Sequence, residues 1–254
     1  SVQRLSTGLR VNSARDDAAG LAIAERMNTQ VRGMNVAIRN ANDAISLAQT
    51  AEGALSKIND MGQRMRELAV QSANATNNDT DRASLDAEFQ ALSAEIKRNL
   101  EGTSFNGTKL FAALATLTFQ VGANNATTDQ IAVITPELAK DTKLTAILGA
   151  TGGTPADIKN VANSTAALGK LDEMLATVNA KRAEFGATQN RFEAVIQTLQ
   201  VSAENQTAAR SRIMDADFAQ ETANLTRAQV LQQAGTAMLS QANQLPNNVL
   251  SLLR

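Results

Sequence analysis

The sequence predicts a mainly α-helical protein: an elongated antiparallel coiled-coil or helical-bundle rod with a small β-hairpin region at one end. Two patterns predict it. Apolar residues recur at alternating steps of three and four in both halves of the chain, and two short β-type runs lie between those halves. The composition agrees, because only 3% of the 254 residues are aromatic. Few large side chains suit long helices in shallow contact better than a thick globular core.

A heptad pattern predicts a long helix in the N-terminal half of the chain. It is broken only by Glu52 and resumes after a small phase shift beyond Leu55. Its apolar members are Val31, Met34, Ile38, Ala41, Ile45, Ala48, Leu55, Met61, Met65 and Leu68. We expect residues 1–30 to form a junction loop and the start of this helix, and residues 31–116 to form the N-terminal helices of the rod.

A shorter helix is predicted at about 80–100. Its apolar residues are spaced by three or four and are Leu85, Phe89, Leu92, Ile96 and Leu100. Asp79 or Thr80 could cap its start, since a side-chain oxygen there can accept from free N–H groups of the first turn. A third helix implies a bundle of three or more members.

The middle of the chain, residues 117–165, has a different pattern. "LTFQV" at 117–121 and "QIAVIT" at 130–135 flank an Asn- and Thr-rich stretch, which predicts a β-hairpin. Residues 136–165 indicate loops around a weak helix. "GATGGTP" at 149–155 lacks the Lys-Ser/Thr ending of a phosphate-binding loop, so we interpret it as a flexible turn. This segment is too short to hold a large extra domain and only turns the chain round.

The C-terminal half predicts two further helices. Residues 166–214 carry the second heptad pattern, and residues 215–254 form an amphipathic helix that Pro246 is expected to disturb. The apolar heptad members of the first are Leu168, Leu171, Leu175, Val178, Phe185, Phe192, Ile196, Leu199 and Ile213, with Arg182, Gln189, Gln206 and Arg210 as polar members.

The apolar side of the terminal helix has no predicted partner within the sequence. Because the sequence starts at Ser1 without an initiator Met, we expect the segment that pairs with this helix to precede it. Burying five apolar end residues would contribute about 8–15 kcal/mol, against about 4–15 kcal/mol for joining two subunits. One such contact is marginal, so repeated contacts in a polymer are favoured. The candidate self-assembly residues here are Leu231, Met238, Leu245, Val249, Leu250, Leu252 and Leu253.

Composition argues against several functions. The chain has no His, Cys, Trp or Tyr, so it cannot form a Ser-His or Cys-His nucleophile pair or a usual zinc site. We expect no catalysis, no cofactor and no metal. The net charge of −1 offers no basic field for nucleic acid. No run approaches the roughly 18 apolar residues of a membrane span, and no secretory leader opens the sequence, so we expect no membrane insertion.

Several long segments resemble bacterial flagellin. They include "RLSTGLRVNSARDDAAGLAIAERM" at 4–27, "MRELAVQSAN" at 65–74, "TSFNGTKLF" at 103–111, "SRIMDADFAQET" at 211–222 and "ANQLPNNVLSLLR" at 242–254. Further segments are "RNANDAISLAQTAEGAL" at 39–55 and "QVGAN" at 120–124. The resemblance covers essentially the whole chain except about 136–165, and the segments follow the order of the family. A chance coiled coil would share the heptads but not these segments.

The resemblance implies a structural subunit that self-assembles into the extracellular flagellar filament and serves motility. In that family the chain ends form an inner coiled-coil tube and the adjoining helices an outer one. It further implies export by the flagellar type III apparatus, an export chaperone, and cap and hook-junction proteins as partners. The chain departs from the family pattern in a missing N-terminal segment and a very short variable middle.

The resemblance also implies two groups of contact residues. Family members recognised by the vertebrate Toll-like flagellin receptor use residues that match Arg64, Leu68 and Glu88, which could equally serve only subunit packing. In "ARDDAAG" at 14–20, Arg15, Asp16 and Asp17 could bond adjoining subunits or form a solvated turn.

Two alternative functions remain open at this stage. One is a hook–filament junction protein, although "LPNNVLSLLR" resembles the filament protein's ending more closely. The other is a flagellin-like cell-surface protein that binds a polysaccharide. Sugar sites usually stack rings on Trp or Tyr, and the chain contains neither.

Overall fold

In the computed structural model of the chain, the structure describes residues 2–150 and 153–252, with side chains described up to residue 242. Most of these residues are helical. The α-helices are Val2–Thr7 (α1), Ala18–Ala73 (α2), Asp79–Gly102 (α3), Thr142–Leu148 (α4), Val161–Met214 (α5) and Phe218–Leu252 (α6). The strands are Ser104–Phe105 (β1), Thr108–Lys109 (β2), Ala115–Gln120 (β3) and Gln130–Thr135 (β4). The predicted mainly α fold class is confirmed.

The chain divides into two compact units. Residues Gly33–Val201 form the first, which we call the core unit, and residues Ser1–Arg32 with Ser202–Arg254 form the second, the terminal unit. The two long helices, α2 with 56 residues and α5 with 54, contribute to both units.

Helices α2 and α5 run antiparallel within the core unit. Arg66 of α2 forms an ion pair with Asp172 of α5 at 2.7 Å, and Glu52 forms one with Arg182 at 3.2 Å. Residue numbers therefore rise on one helix as they fall on the other. Glu52 is the polar residue that interrupts the first heptad pattern and Arg182 is one of the four polar members of the second, so a polar pair replaces an apolar layer at this point.

The core lies where the predicted heptad residues of α2 and α5 meet. Members of both patterns are fully or almost fully buried, among them Met34, Ala41, Ala48, Leu55, Leu171, Val178, Phe185 and Phe192. Helix α2 also buries Ala37, Ala44 and Ala51, which lie seven residues apart beside the first pattern. This broader apolar face of α2 reflects packing against several elements rather than against one helix.

Helix α3 begins one residue earlier than the sequence indicates. Its N-cap is Asn78, not Asp79 or Thr80. The side-chain oxygen of Asn78 accepts from the Asp81 backbone N–H at 2.9 Å, and the Asp81 carboxylate accepts from the Asn78 N–H at 3.2 Å. This reciprocal capping box satisfies two backbone donors at the helix start. Phe89, Ile96 and Leu100 on its inner face are buried, as the spacing predicts.

The predicted β-hairpin is present as strands β3 and β4. They pair antiparallel, with Leu117 opposite Val133. Ile131, Val133 and Thr135 alternate inward along β4, and Phe119 meets the ring of Phe192 edge to face at 5.7 Å. The hairpin therefore packs on helix α5 within the core unit.

A smaller hairpin, β1 with β2, was not predicted. Asn106 and Gly107 form its turn with φ of 48° and 80°. Two consecutive residues with positive φ are typical of the type I′ turn, for which Asn-Gly is the preferred sequence. The Asn-Gly pair at 106–107 was therefore the signal that could have found it.

The segment between the large hairpin and helix α5 is packed rather than loose. It contains a 3-10 turn at Leu138–Lys140 and helix α4, which is the predicted weak helix. Leu138, Leu144, Ile147, Leu148 and Ile158 are all buried in the same core. Helix α5 then begins at Val161, not at 166. The predicted turn at 149–155 includes residues 151 and 152, which lie outside the described residues.

A buried polar network links the end of α2, the start of α3 and the start of α5. The Arg82 guanidinium is buried and donates to carbonyl oxygens at the C-terminal end of α2 and in the following turn, those of Ser72, Asn74 and Asn77. The buried Asp86 carboxylate accepts from the Ile158 N–H at 2.9 Å, and the Ser164 hydroxyl donates to the Asn160 carbonyl at 2.8 Å. These bonds satisfy groups that burial would otherwise leave unpaired.

Candidate assembly surface

Helix α6 of the terminal unit exposes four large apolar side chains between residues 230 and 239. Asp217 caps its start, because its carboxylate accepts from the Ala219 N–H at 2.9 Å. Along the helix, Val230, Leu231, Met238 and Leu239 are 57%, 64%, 73% and 66% exposed. We call these four side chains the apolar stripe. Single exposed apolar residues are ordinary, whereas an exposed apolar patch of this kind marks an interaction surface.

Two predicted self-assembly residues, Leu231 and Met238, lie in the apolar stripe. Val230 and Leu239 belong to it as well but are not among the residues that the sequence predicted. Each lies next to a predicted residue, Val230 beside Leu231 and Leu239 beside Met238, and this adjacency was the available signal. The other predicted residues, Leu245, Val249, Leu250, Leu252 and Leu253, lie outside the described side chains, although the helix itself continues to Leu252. The helix also continues through Pro246, where the sequence predicted a disturbance.

The N-terminal segment contacts the start of α6, and sequence reasoning missed this arrangement. Leu9 and Asp215 form an antiparallel bridge, and the Arg10 guanidinium donates to the Ile213 carbonyl at 2.8 Å. Arg4 of α1 lies 3.4 Å from the Glu221 carboxylate. Arg10 thus satisfies a carbonyl in the last turn of α5, where a cation also suits the helix dipole.

The predicted contact loop at 15–17 is tied down locally by its two carboxylates. Asp16 accepts from the backbone N–H groups of Asn12 at 3.1 Å and Ser13 at 3.0 Å. The Asn12 hydrogen bond is the main cause that lowers the pKa of the Asp16 carboxyl below its ordinary value, while desolvation opposes it. Asp17 accepts from the Gly20 N–H at 2.8 Å and so caps helix α2. Arg15 is exposed.

The predicted receptor residues divide into an exposed pair and a buried residue. The Arg64 guanidinium donates to the Glu88 carboxylate at 2.9 Å and to Glu67 at 2.9 Å. The hydrogen bond to Glu88, followed by that to Glu67, raises the pKa of Arg64. Leu68, one turn further along α2, is 0% exposed and belongs to the core. The structure thus brings Arg64 and Glu88 together on the surface and places Leu68 beneath it.

Within the residues that the structure describes, no group of three or more acidic side chains is placed to hold a metal ion. Nor does any helix among them combine the length and hydropathy that crossing a bilayer requires.

Two family matches cover most of the sequence. Residues 1–116 match the bacterial flagellin N-terminal helical region, and residues 168–253 match the bacterial flagellin C-terminal helical region. The segment between these matches contains most of the large hairpin, helix α4 and the start of α5.

Individual relatives agree with the family matches. Flagellin of Halalkalibacterium halodurans is 48% identical over 255 residues, which span 100% of this chain and 91% of that protein. A crystal structure of Bacillus cereus flagellin is 32% identical with a TM-score of 0.55, and the match covers 68% of this chain and 94% of that chain. A putative flagellar hook-associated protein from Vibrio parahaemolyticus has a TM-score of 0.64 over 79% of this chain and 100% of that chain. At 14% identity, that last likeness shows a shared fold alone.

Proposed function

The chain belongs to the bacterial flagellin family and is a structural subunit of the extracellular flagellar filament, and we propose that the apolar stripe of helix α6 is the surface by which its subunits join. The observation that supports this proposal is the exposure of four large apolar side chains on one helix. We also propose Leu245, Val249, Leu250, Leu252 and Leu253 as self-assembly residues.

The size of the apolar stripe suits a polymer. Complete burial of its four side chains would contribute about 6–12 kcal/mol at about 1.5–3 kcal/mol each. Association of two subunits costs about 4–15 kcal/mol. For a single contact, the free energy gained by burial is therefore close to the free energy that association costs. A subunit in a lattice contacts several neighbours but loses its free motion only once, so further contacts add burial without a new association cost.

Seeded growth of filaments tests this proposal with two variants of equal charge. Leu231→Glu places a carboxylate in the apolar stripe, and Gln229→Glu places one about 160° round the helix from Leu231. Both side chains are exposed, so neither change should alter thermal unfolding of the core unit. We expect Leu231→Glu to abolish elongation of sonicated filament seeds and Gln229→Glu to retain it. Equal growth of the two variants would contradict the proposal.

We propose a smaller assembly role for the loop at 15–17. Asp16 and Asp17 are engaged in capping their own loop and helix α2, which leaves the exposed Arg15 to reach a neighbouring subunit. Arg15→Ala should slow seeded growth without changing the helix content measured by circular dichroism. Unchanged growth would leave the loop with only its local role.

We propose the remaining partners by family membership. They are the flagellar cap and hook-junction proteins, an export chaperone and the flagellar type III apparatus, with no nucleic acid and no membrane insertion. The bacterial flagellin family is a family of structural proteins, and we propose that this chain performs no catalysis. The comparisons favour the filament subunit over the hook-junction and polysaccharide-binding alternatives.

Recognition by the vertebrate Toll-like flagellin receptor is a separate proposal. Arg64 and Glu88 support it, because they form a solvent-exposed ion pair on the surface of the core unit, with 2.9 Å between the Arg64 Nε and a Glu88 carboxylate oxygen. Leu68 would act from beneath by fixing the turn of α2 that carries Arg64. Receptor-dependent reporter signalling should fall with Arg64→Ala and stay unchanged with Arg98→Ala, whose guanidinium is likewise exposed and paired with a glutamate. Unaltered signalling by the Arg64 variant would contradict this role.

A further inference from the structure

The seven methionines of the chain differ in their exposure to solvent. Six are buried or half-buried, and these are Met27, Met34, Met61, Met65, Met174 and Met214. The seventh, Met238, is 73% exposed. Every methionine falls within the residues whose side chains the structure describes, so the contrast covers the whole set. One thioether is open to dissolved oxidants to an extent that no other in the chain matches.

The chemistry of a thioether makes this exposure consequential. A peroxide transfers one oxygen atom to a lone pair of the methionine sulfur, which becomes a sulfoxide, and hydrogen peroxide leaves as water. The sulfur loses two electrons and the peroxide gains them, so the step needs no further reactant. The product replaces a flexible apolar side chain by a polar one. At Met238 the new oxygen would lie on the face of α6 that also carries the exposed Leu231, two helical turns earlier.

We propose that Met238 is a selective oxidation site, and that its sulfoxide weakens addition of the subunit to a filament. This inference rests on the proposed function, because it needs the apolar stripe to be buried on assembly. An unpaired polar oxygen enters such an interface at a cost. The same burial would shield Met238 from peroxide once the subunit is in place. Free subunits are therefore sensitive to peroxide and assembled ones are protected.

Peroxide treatment followed by peptide mass spectrometry tests the selectivity. In free subunits the sulfoxide should form at Met238 well before it forms at Met65 or Met174, which are fully buried. In filaments treated in the same way, oxidation of Met238 should be slow. Oxidation of Met65 at the same rate as Met238 in free subunits would overturn the proposal, and so would equal rates at Met238 in subunits and filaments.

Seeded growth tests the effect on assembly. Oxidised wild-type subunits should show a critical concentration raised about tenfold, which corresponds to about 1.4 kcal/mol. Treatment with methionine sulfoxide reductases should restore growth. Met238→Leu keeps the apolar character, so it should grow both before and after peroxide. Met65→Leu is the matched control and should remain peroxide-sensitive.

The outcomes separate this inference from the proposed function. If untreated wild-type subunits fail to elongate seeds, the proposed function itself is contradicted, and the assembly effect of Met238 falls with it. If untreated subunits grow and oxidised ones grow equally well, only the inference about Met238 is overturned. Should leucine be tolerated poorly at 238, the reductase experiment still decides, because reversal of the oxidation must restore growth of the unmodified sequence.

Discussion

At the scale of single residues, the same sequence motif holds side chains with opposite roles. Arg64 and Leu68 are one helical turn apart in "QRMRELAV", yet Arg64 lies on the surface and Leu68 in the core. Family resemblance groups them with Glu88 as contact residues, because a resemblance transfers positions and not burial. Only the packing of α2 against its neighbours decides which of them a partner could touch.

Truncation of Leu68 and of Arg64 to alanine should change the free energy of unfolding by different amounts. Leu68→Ala removes buried methyl and methylene groups and should lower the free energy of unfolding by about 2–5 kcal/mol. Arg64→Ala removes a solvent-exposed ion pair and should change it little. Urea unfolding followed by circular dichroism measures both. Similar losses for the two variants would contradict the assignment of Leu68 to the core and of Arg64 to the surface.

The loop before helix α2 should respond to acid through Asp16. Hydrogen bonds from Asn12 and Ser13 lower the pKa of this carboxyl in the folded state. A lowered folded-state pKa means that the carboxylate stabilises the loop above the unfolded-state value, near pH 4, and that this stabilisation is lost as pH falls through the folded-state value. Amide chemical shifts of Asn12 and Ser13 should therefore titrate below pH 4, and Asp16→Asn should abolish that titration. A midpoint above pH 4 would contradict the inferred hydrogen bonding.

At the scale of elements, the sequence predicts helices with long apolar repeats better than features built from polar contacts. The heptads of α2 and α5 are readable because each repeat reports the same buried face many times over. The spacing of "QIAVIT" likewise predicts β4. The network of Arg82 and Asp86 was not predictable, because in sequence these residues resemble a solvated helix face. The contact of Leu9 with Asp215 depends on two segments far apart in the chain.

The start of helix α3 gives a direct test at this scale. Asn78→Ala removes the side-chain acceptor of the capping box and should lower the free energy of unfolding by about 1 kcal/mol. Thr80→Ala changes a residue that the sequence also suggested as the cap, and it should have a much smaller effect. Chemical denaturation compares the two. A larger loss for the threonine variant would place the cap at Thr80 after all.

At the scale of the whole molecule, the two units differ in how they bury apolar surface. The core unit buries its own apolar side chains in one cluster, which includes Ala41 of α2 and Phe192 of α5. In the terminal unit, the apolar stripe of helix α6 stays open to solvent. A subunit that buries the apolar side chains of one unit and exposes those of the other is suited to a filament, because neighbouring copies can cover the exposed surface.

The most direct test of this account is a cryo-electron microscopy reconstruction of filaments grown from this chain, at a resolution that shows side chains. The account predicts that Leu231 and Met238 are buried against neighbouring subunits, while Arg64 and Glu88 remain paired in the core unit. A filament in which Leu231 and Met238 face solvent would contradict the central claim, since subunits would then join through a surface other than the apolar stripe.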